Sequence, residues 1–302
     1  MRACMRFAGE CAALGTAVCW AAGSNFFAAA GRRMGSAVLN RLRITVAAGF
    51  LVTALLVVKG SPWPTWATPV QVALLAASGI IGFVLGDNNY FRSLVILGPG
   101  RSALIASLAP VFTAILGLWL LGERLGATAI FGMGLTLCGL AWALTGRDRA
   151  ATPHVEGTVL VGIVAGVFGA LGQAGGYVLS KMAMRDGLDP LSATIVRVTA
   201  GMVGVWFLAL LAGRVHHTLD ALADRRGRWL MIGGAFCGPF VGVTLSLLAL
   251  QYAEAGVAAS ITATFPILTL VLASRFFGEP ITLRVLGGAV VALAGVVVLF
   301  LR

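Results

Sequence analysis

Charge is what this chain has least of. Asp, Glu, Lys and Arg make up 11% of its 302 residues, against roughly a quarter in soluble proteins. That shortfall excludes a water-soluble globular fold. Acids are the scarcer sign, with 11 Asp and Glu against 22 Lys and Arg and a net charge of +11. The basic excess does not make a nucleic-acid binder, because the cations stand singly or in short clusters between apolar runs, without a basic domain or an aromatic–basic stripe. Loop charges that orient a membrane protein account for it instead. The five cysteines (Cys4, Cys11, Cys19, Cys138, Cys237) are odd in number, contain no Cys-x-x-Cys pair and lie mostly inside apolar runs, where cysteine behaves as a small hydrophobe. A disulfide framework is therefore not expected. His154, His216 and His217 all sit in loops without a second ligand at metal spacing, so neither a metal nor a cofactor is expected. A G-x-x-x-x-G-K-[ST] phosphate loop and an H-E-x-x-H pair are also missing. Energy would then come from an ion gradient or the substrate's own gradient. The alternatives are an intramembrane enzyme, which would need clustered aspartates or a zinc motif, and a channel, which would need a ring of like residues or a carbonyl filter.

What the chain does have is apolar length. Hydrophobic residues make up 59% of it and glycines number 40, without the period of three that would mean collagen. Small residues at that density suit helices packed closely in a bilayer. A spanning helix needs about 20 mostly apolar residues. Reading for such runs predicts about ten spans: 11–30, 37–58, 70–94, 100–121, 126–145, 157–180, 190–212, 229–252, 257–277 and 282–301. The separators are short, rich in Gly, Pro and charge, and none is long enough for a soluble domain. The basic start, MRACMR, precedes an apolar run ending in AAAG, as in a secretory signal. That run is long for a signal and holds Asn25, so it is read as the first helix of the mature fold.

The chain is a duplication. The segment GPGRSALIASLAPVFTAILGLWLLGERLGATAIFGMGLTLCG (98–139) returns 156 positions later as EAGVAASITATFPILTLVLASRFFGEPITLRVLGGAVVALAG (254–295). Pro110 falls on Pro266, Gly122 on Gly278, Glu123 on Glu279, Gly132 on Gly288 and Gly139 on Gly295. WAAGSNFFAA (20–29) similarly resembles FGALGQAGGY (168–177), and Arg43 and Arg197 sit at matching places inside the second span of each half. The units are expected at 1–146 and 157–302, with 147–156 as the linker. Five spans per half is an odd number, so the copies enter the membrane in opposite directions. The expected fold is thus an all-α integral membrane protein of about ten transmembrane helices, built as two inverted five-helix repeats, a plan common among secondary transporters. Counting Lys and Arg by face puts the richer face in the cytoplasm and both termini outside.

A five-helix repeat with a Pro-interrupted fourth helix, a Gly-Glu hinge and a Gly-rich fifth helix resembles the EamA family, the ten-helix branch of the drug/metabolite transporter superfamily. The residues that carry the resemblance are WAAGSNF in the first helix, the in-membrane Arg43 and Arg197, LAPVFTAILGLWLLGERL and its partner TFPILTLVLASRFFGEP. The resemblance covers nearly the whole chain. It implies a multi-pass carrier in the cell (inner) membrane, more often an exporter, of amino acids, other metabolites or drugs. It also implies both termini in the cytoplasm, opposite to the charge count.

Candidate site residues follow from where polar groups interrupt the apolar spans. Asp87, in GDNNYFRSL, is an acid inside a span, costly by about 2.5–3.5 kcal/mol and expected to face the bundle interior. Its counterpart in the second half is Val243. Asp87 is read either as a contact for substrate or protons, with Asn88, Asn89 and Tyr90 beside it, or as the ion-pair partner of Arg43. Arg43 and Arg197 are read either as structural cations that snorkel or tie helix ends, or as guanidinium forks for a carboxylate or phosphate. Asn25 and Gln173, mid-span in matching helices, together with Trp20 and Tyr177, complete the candidate cavity, and Tyr252 is a further aromatic candidate. Pro110 and Pro266 are expected to remove backbone hydrogen bonds mid-helix and act as hinges or gates. Glu123 and Glu279 are expected to be structural caps, each following a helix-ending glycine and meeting the positive end of the next helix. No catalytic residue is expected. The partners are a small-molecule substrate, the lipid bilayer and protons, with a slight lean toward a zwitterion or carboxylate.

Overall fold

Within a bilayer the backbone has no water to bond, so each span must close its hydrogen bonds internally. The computed structural model describes residues 7–90, 92–93, 96, 105–106, 108–144, 158–268 and 282–300, and among them every regular element is helical. Six helices are long and apolar enough to cross a membrane: α1 (Ala8–Met34), α2 (Ser36–Lys59), α3 (Pro69–Tyr90), α6 (Val159–Met184), α7 (Pro190–Leu211) and α8 (Arg225–Tyr252). Four shorter apolar helices fill the remaining places: α4 (Ala109–Leu121), α5 (Ala127–Leu144), α9 (Ala255–Leu268) and α10 (Leu283–Phe300). Helix ends follow local chemistry. Thr68 and Gln71 form a capping box ahead of α3, with Pro69 in the first turn. Asp189 accepts from Ser192 N at 3.0 Å to start α7, and Gly122 ends α4 at φ +67°, where a glycine carries no Cβ penalty. One separator has structure of its own: between α7 and α8 lie a short helix, Val215–Asp220, and a tight turn, Ala221–Ala223.

The main packing pairs join one half to the other. α1 lies against α8 and α9, while its counterpart α6 lies against α3 and α4. α3 packs on α7, and α2 packs on α8. The pairs α2–α7, α4–α9 and α5–α10 each join counterparts directly. Exchanging the halves maps this set of pairs onto itself, as a pseudo-two-fold axis requires. The repeats are inverted and interlocked rather than set side by side.

The α5–α10 contact shows why the repeated glycines matter. A Cβ at Gly288 would stand 2.5 Å from Ala143 N, one at Gly295 2.5 Å from Thr136 N, and one at Gly139 would collide with Ala292 N. Gly132 meets Gly295, and Gly139 meets Gly288, so the two contacts exchange when the halves are exchanged. Lipid offers no hydrophobic drive between helices, and close van der Waals approach of small residues takes its place.

Two departures from regular helix recur at matching positions. α3 and α8 each contain a seven-residue π-helical segment, Ile80–Gly86 and Phe236–Gly242, a widened turn often found at functional sites. The spans with Pro110 and Pro266 are broken just before the proline. Leu108 N donates to Ile105 O at 3.0 Å, and Thr264 N donates to Ile261 O at 3.1 Å, closing the same tight turn in both halves. Pro110 then lies in the first turn of the helix Ala109–Leu116. There its missing N–H has no intrahelical partner in any case. In both halves the interruption of the span takes the form of this tight turn just ahead of the proline.

Candidate functional site

The acid and the first arginine meet. Arg43 stands about 10 Å into α2 at the usual 1.5 Å rise per residue, and Asp87 follows the π segment of α3 directly. Arg43 Nη2 pairs with Asp87 Oδ2, with the two side chains 10% and 23% exposed. Arg43 Nε donates to Asn40 Oδ1 at 2.9 Å, and its guanidinium lies over the Phe27 ring at 5.2 Å. Of the readings left open for Asp87, the structure has the ion pair.

Arg197 differs. It is 1% exposed, so it does not snorkel to water as a structural cation at that depth would. Its guanidinium lies 4.9 Å from the Phe83 ring and 5.7 Å from the Tyr177 ring. Glycines make room for it, since a Cβ at Gly82 or Gly176 would stand 2.7 or 2.8 Å from its Nη2. Nε and Nη1 are buried and have no hydrogen-bond partner among the described residues, and neither does the buried Tyr177 hydroxyl. Gln173 and Ser246 stand near that hydroxyl without reaching hydrogen-bonding geometry, and Ser246 donates instead to Val243 O at 2.7 Å. The charge of Asp87 reaches both Arg197 and Tyr177, yet neither is bonded to it.

Aromatics extend the cluster. Trp20 of α1 stacks near Tyr177 of α6 at 6.5 Å and meets Phe265 of α9 edge-on at 5.7 Å. Its ring presses on Gly242, at the end of the π segment in α8. Thus Trp20, Arg43, Asp87, Gln173, Tyr177 and Arg197 are brought together from five helices. The amides of Asn25 and Asn89 fold back on their own helices, to Ala21 O at 2.8 Å and Leu85 O at 2.9 Å. Asn88 is exposed, and the Tyr90 backbone packs against Gly169. Sequence reasoning missed Phe83, Phe265 and Ser246. It also missed Gly82 and Gly176, which form the floor under Arg197. The one available signal was the recurrence of Gly82 and Gly86 as Gly238 and Gly242.

Ion pairs tie the halves at both ends of the bundle. At one end Lys181 Nζ stands 2.6 Å from Glu123 Oε1, and Lys59 stands 3.5 Å from Asp189. Glu123 Oε2 accepts from Ala255 N at 2.9 Å. Its carboxylate therefore caps α9 of the other half, not the next helix α5 as expected, because α9 begins across the interface where Gly117 leaves space. Lys181 also donates to Ala253 O, and Arg185 donates to Leu121 O. Glu279 lies outside the described residues, as does the linker 147–156. Beside this latch opens a cavity of about 720 Å³ lined by Phe7, Glu10, Lys181, Tyr252 and Glu254 among others, so Tyr252 faces this mouth and not the central cluster. At the opposite end Arg33 grips Asp224 with two bonds of 2.5 and 2.9 Å. Those bonds, helped by the Gly227 backbone N–H, hold the Asp224 carboxyl down at about 2.

Two inverted, interlocked five-helix halves around a buried charged and aromatic cluster define a multi-pass membrane protein of the inverted-repeat transporter class. The family follows from sequence comparison. The pattern of the EamA-like transporter family matches twice, over 7–145 and 160–301, and the chain belongs to that family. It is similar to an uncharacterized transporter of Archaeoglobus fulgidus, 28% identical over 211 residues covering 70% of both chains. An uncharacterized protein of Pseudomonas aeruginosa is 29% identical over 76% of this chain and 75% of its own. Protein LicB of Haemophilus influenzae is 26% identical over 148 residues, so the match spans about half (49%) of each chain. A solved crystal structure shares the fold, with a TM-score of 0.72 over 96% of this chain and 95% of its own at 15% identity.

Proposed function

We propose that the protein is a secondary carrier of the cell's inner membrane that moves a small metabolite or drug, in the export direction, by alternating access. The units 1–146 and 157–302 rock against each other around the cluster at Asp87 and Arg197, with 147–156 as the tether. The observation that carries this reading is the placement of inter-half ion pairs at both ends: Lys59–Asp189 and Lys181–Glu123 at one, Arg33–Asp224 at the other. A rocking carrier must release one end while holding the other, and bistable contacts of this kind suit that task. Protonating Asp87 would dissolve its pair with Arg43, which gives protons a route to shift α2 against α3. As a carrier the protein makes and breaks no covalent bond in its substrate.

Flux into proteoliposomes, measured over a metabolite panel with and without a pH gradient, tests the reading. Cysteines placed at 59 and 189 in a background without the native cysteines should abolish flux when cross-linked and restore it on reduction. Flux that persists through the cross-link contradicts alternating access.

A further inference from the structure

We propose that Arg197 and Tyr177 form an anion subsite that takes the carboxylate or phosphate group of the transported molecule; this rests on the carrier reading above. A guanidinium carries five N–H donors in its plane. The rings of Phe83 and Tyr177 engage its faces, but a ring face does nothing for in-plane donors. Nε and Nη1 remain buried and unbonded, as does the Tyr177 hydroxyl on the neighbouring ring. Among the described residues, three donor atoms on two neighbouring side chains therefore lack an acceptor, and the acid whose charge reaches the cation, Asp87, is paired with Arg43 instead. The other half supplies the contrast. Arg43, the counterpart of Arg197, spends its charge on Asp87, whereas the place of Asp87 in the second half holds Val243. One of two matched arginines is neutralised by the protein, and the other is left for a ligand.

An oxyanion is the ligand that fits. A planar guanidinium edge pairs with a carboxylate or phosphate through parallel N–H bonds, and the adjacent phenol donates a further bond to the same group. Gln173 and Trp20 border the position and would meet the rest of the molecule. Because Arg197 is sealed in this conformation, the ligand enters when the halves open. A buried cation kept without a partner weakens the empty fold, so Arg197 differs in a measurable way from an arginine that only braces two rings.

The test uses the full-length purified protein in detergent and follows thermal unfolding with added glycine, succinate, inorganic phosphate or glycerol phosphate. Glycine methyl ester and sodium chloride serve as controls. The wild type should rise in Tm with the carboxylate arm or the phosphate arm and not with the controls, and the responding arm names the source. Arg197→Gln should unfold at a higher temperature than the wild type when empty and show no oxyanion response. Tyr177→Phe, which removes only an unbonded hydroxyl, should fold normally and need about tenfold more oxyanion for the same shift. A response retained in both variants, or a wild type indifferent to every oxyanion, overturns the subsite. Proteoliposome flux separates the two readings: flux without an oxyanion response sinks the subsite alone, and an oxyanion response without flux sinks the carrier.

Discussion

Asp87 and Val243 hold corresponding positions, and that one difference gives two matched arginines different surroundings. Removing one partner of a buried pair leaves the other uncompensated, at about 3–5 kcal/mol. Asp87→Asn should therefore lower the unfolding temperature in detergent markedly, because Arg43 loses its counter-ion. Adding Arg43→Gln should recover much of the loss, and a single variant as stable as the wild type would show that the pair is not what holds α2 to α3. The exposed pair at the bundle end obeys a different rule. Arg33 holds Asp224 at about 2, below the ordinary 3.8. A depressed carboxyl contributes stability above its unfolded value and loses that contribution as pH falls through its folded value. The stability difference between wild type and Asp224→Asn should thus be constant from pH 8 to about 5 and vanish toward about pH 2. A gap that widens on acidification contradicts the pairing. At this scale the sequence was readable in part: a carboxylate in hydrocarbon needs a cation or a ligand, and the pair with Arg43 was one of the two readings left open for Asp87. The surroundings of Arg197 were not readable, because nothing in the residue order shows which way a long side chain turns or that Gly82 and Gly176 clear space for it.

Elements were legible by length and breakers. The ten apolar runs and the hinge at Gly122 follow from local preference. The π segments at Ile80–Gly86 and Phe236–Gly242 did not, since an extra residue in a turn is fixed by the packing of Gly86 on Gly172 and Gly242 on Trp20. The prolines were visible in the sequence but the form of the interruption was not, because apolar residues on both sides hide a tight backbone turn just ahead of each proline. Helix crossings make the sharpest prediction at this scale. Gly139→Val puts a side chain into the backbone of α10 and should abolish folded, monodisperse protein. Gly134→Ala, on the same helix with nothing within 4 Å of the new methyl, should be neutral or slightly stabilising, by up to about 1 kcal/mol. Size-exclusion profiles and unfolding curves of both variants check this, and equal behaviour would show that the α5–α10 approach is looser than described.

For the whole molecule, the duplication and the odd helix count made inversion readable from residue order alone. The interlock was not. Sequence symmetry says that two copies exist, but not that α1 leaves its own half to lie on α8 and α9, or that Glu123 caps a helix of the other copy. Those cross-half contacts join the two repeats into one bundle with ion pairs between the halves at each end. The central claim is that opening one end closes the other around the buried cluster. It is tested most directly by labelling Gln173→Cys with a membrane-impermeant maleimide, added to one side or the other of protein oriented in vesicles without native cysteines. One set carries cysteines at 59 and 189 joined by a reducible bifunctional cross-linker, the other cysteines at 33 and 224 joined in the same way. The account predicts that the label reaches position 173 only from the unlocked side, so that the reactive side switches with the lock. Labelling from the same side in both sets, or from both sides at once, would contradict it.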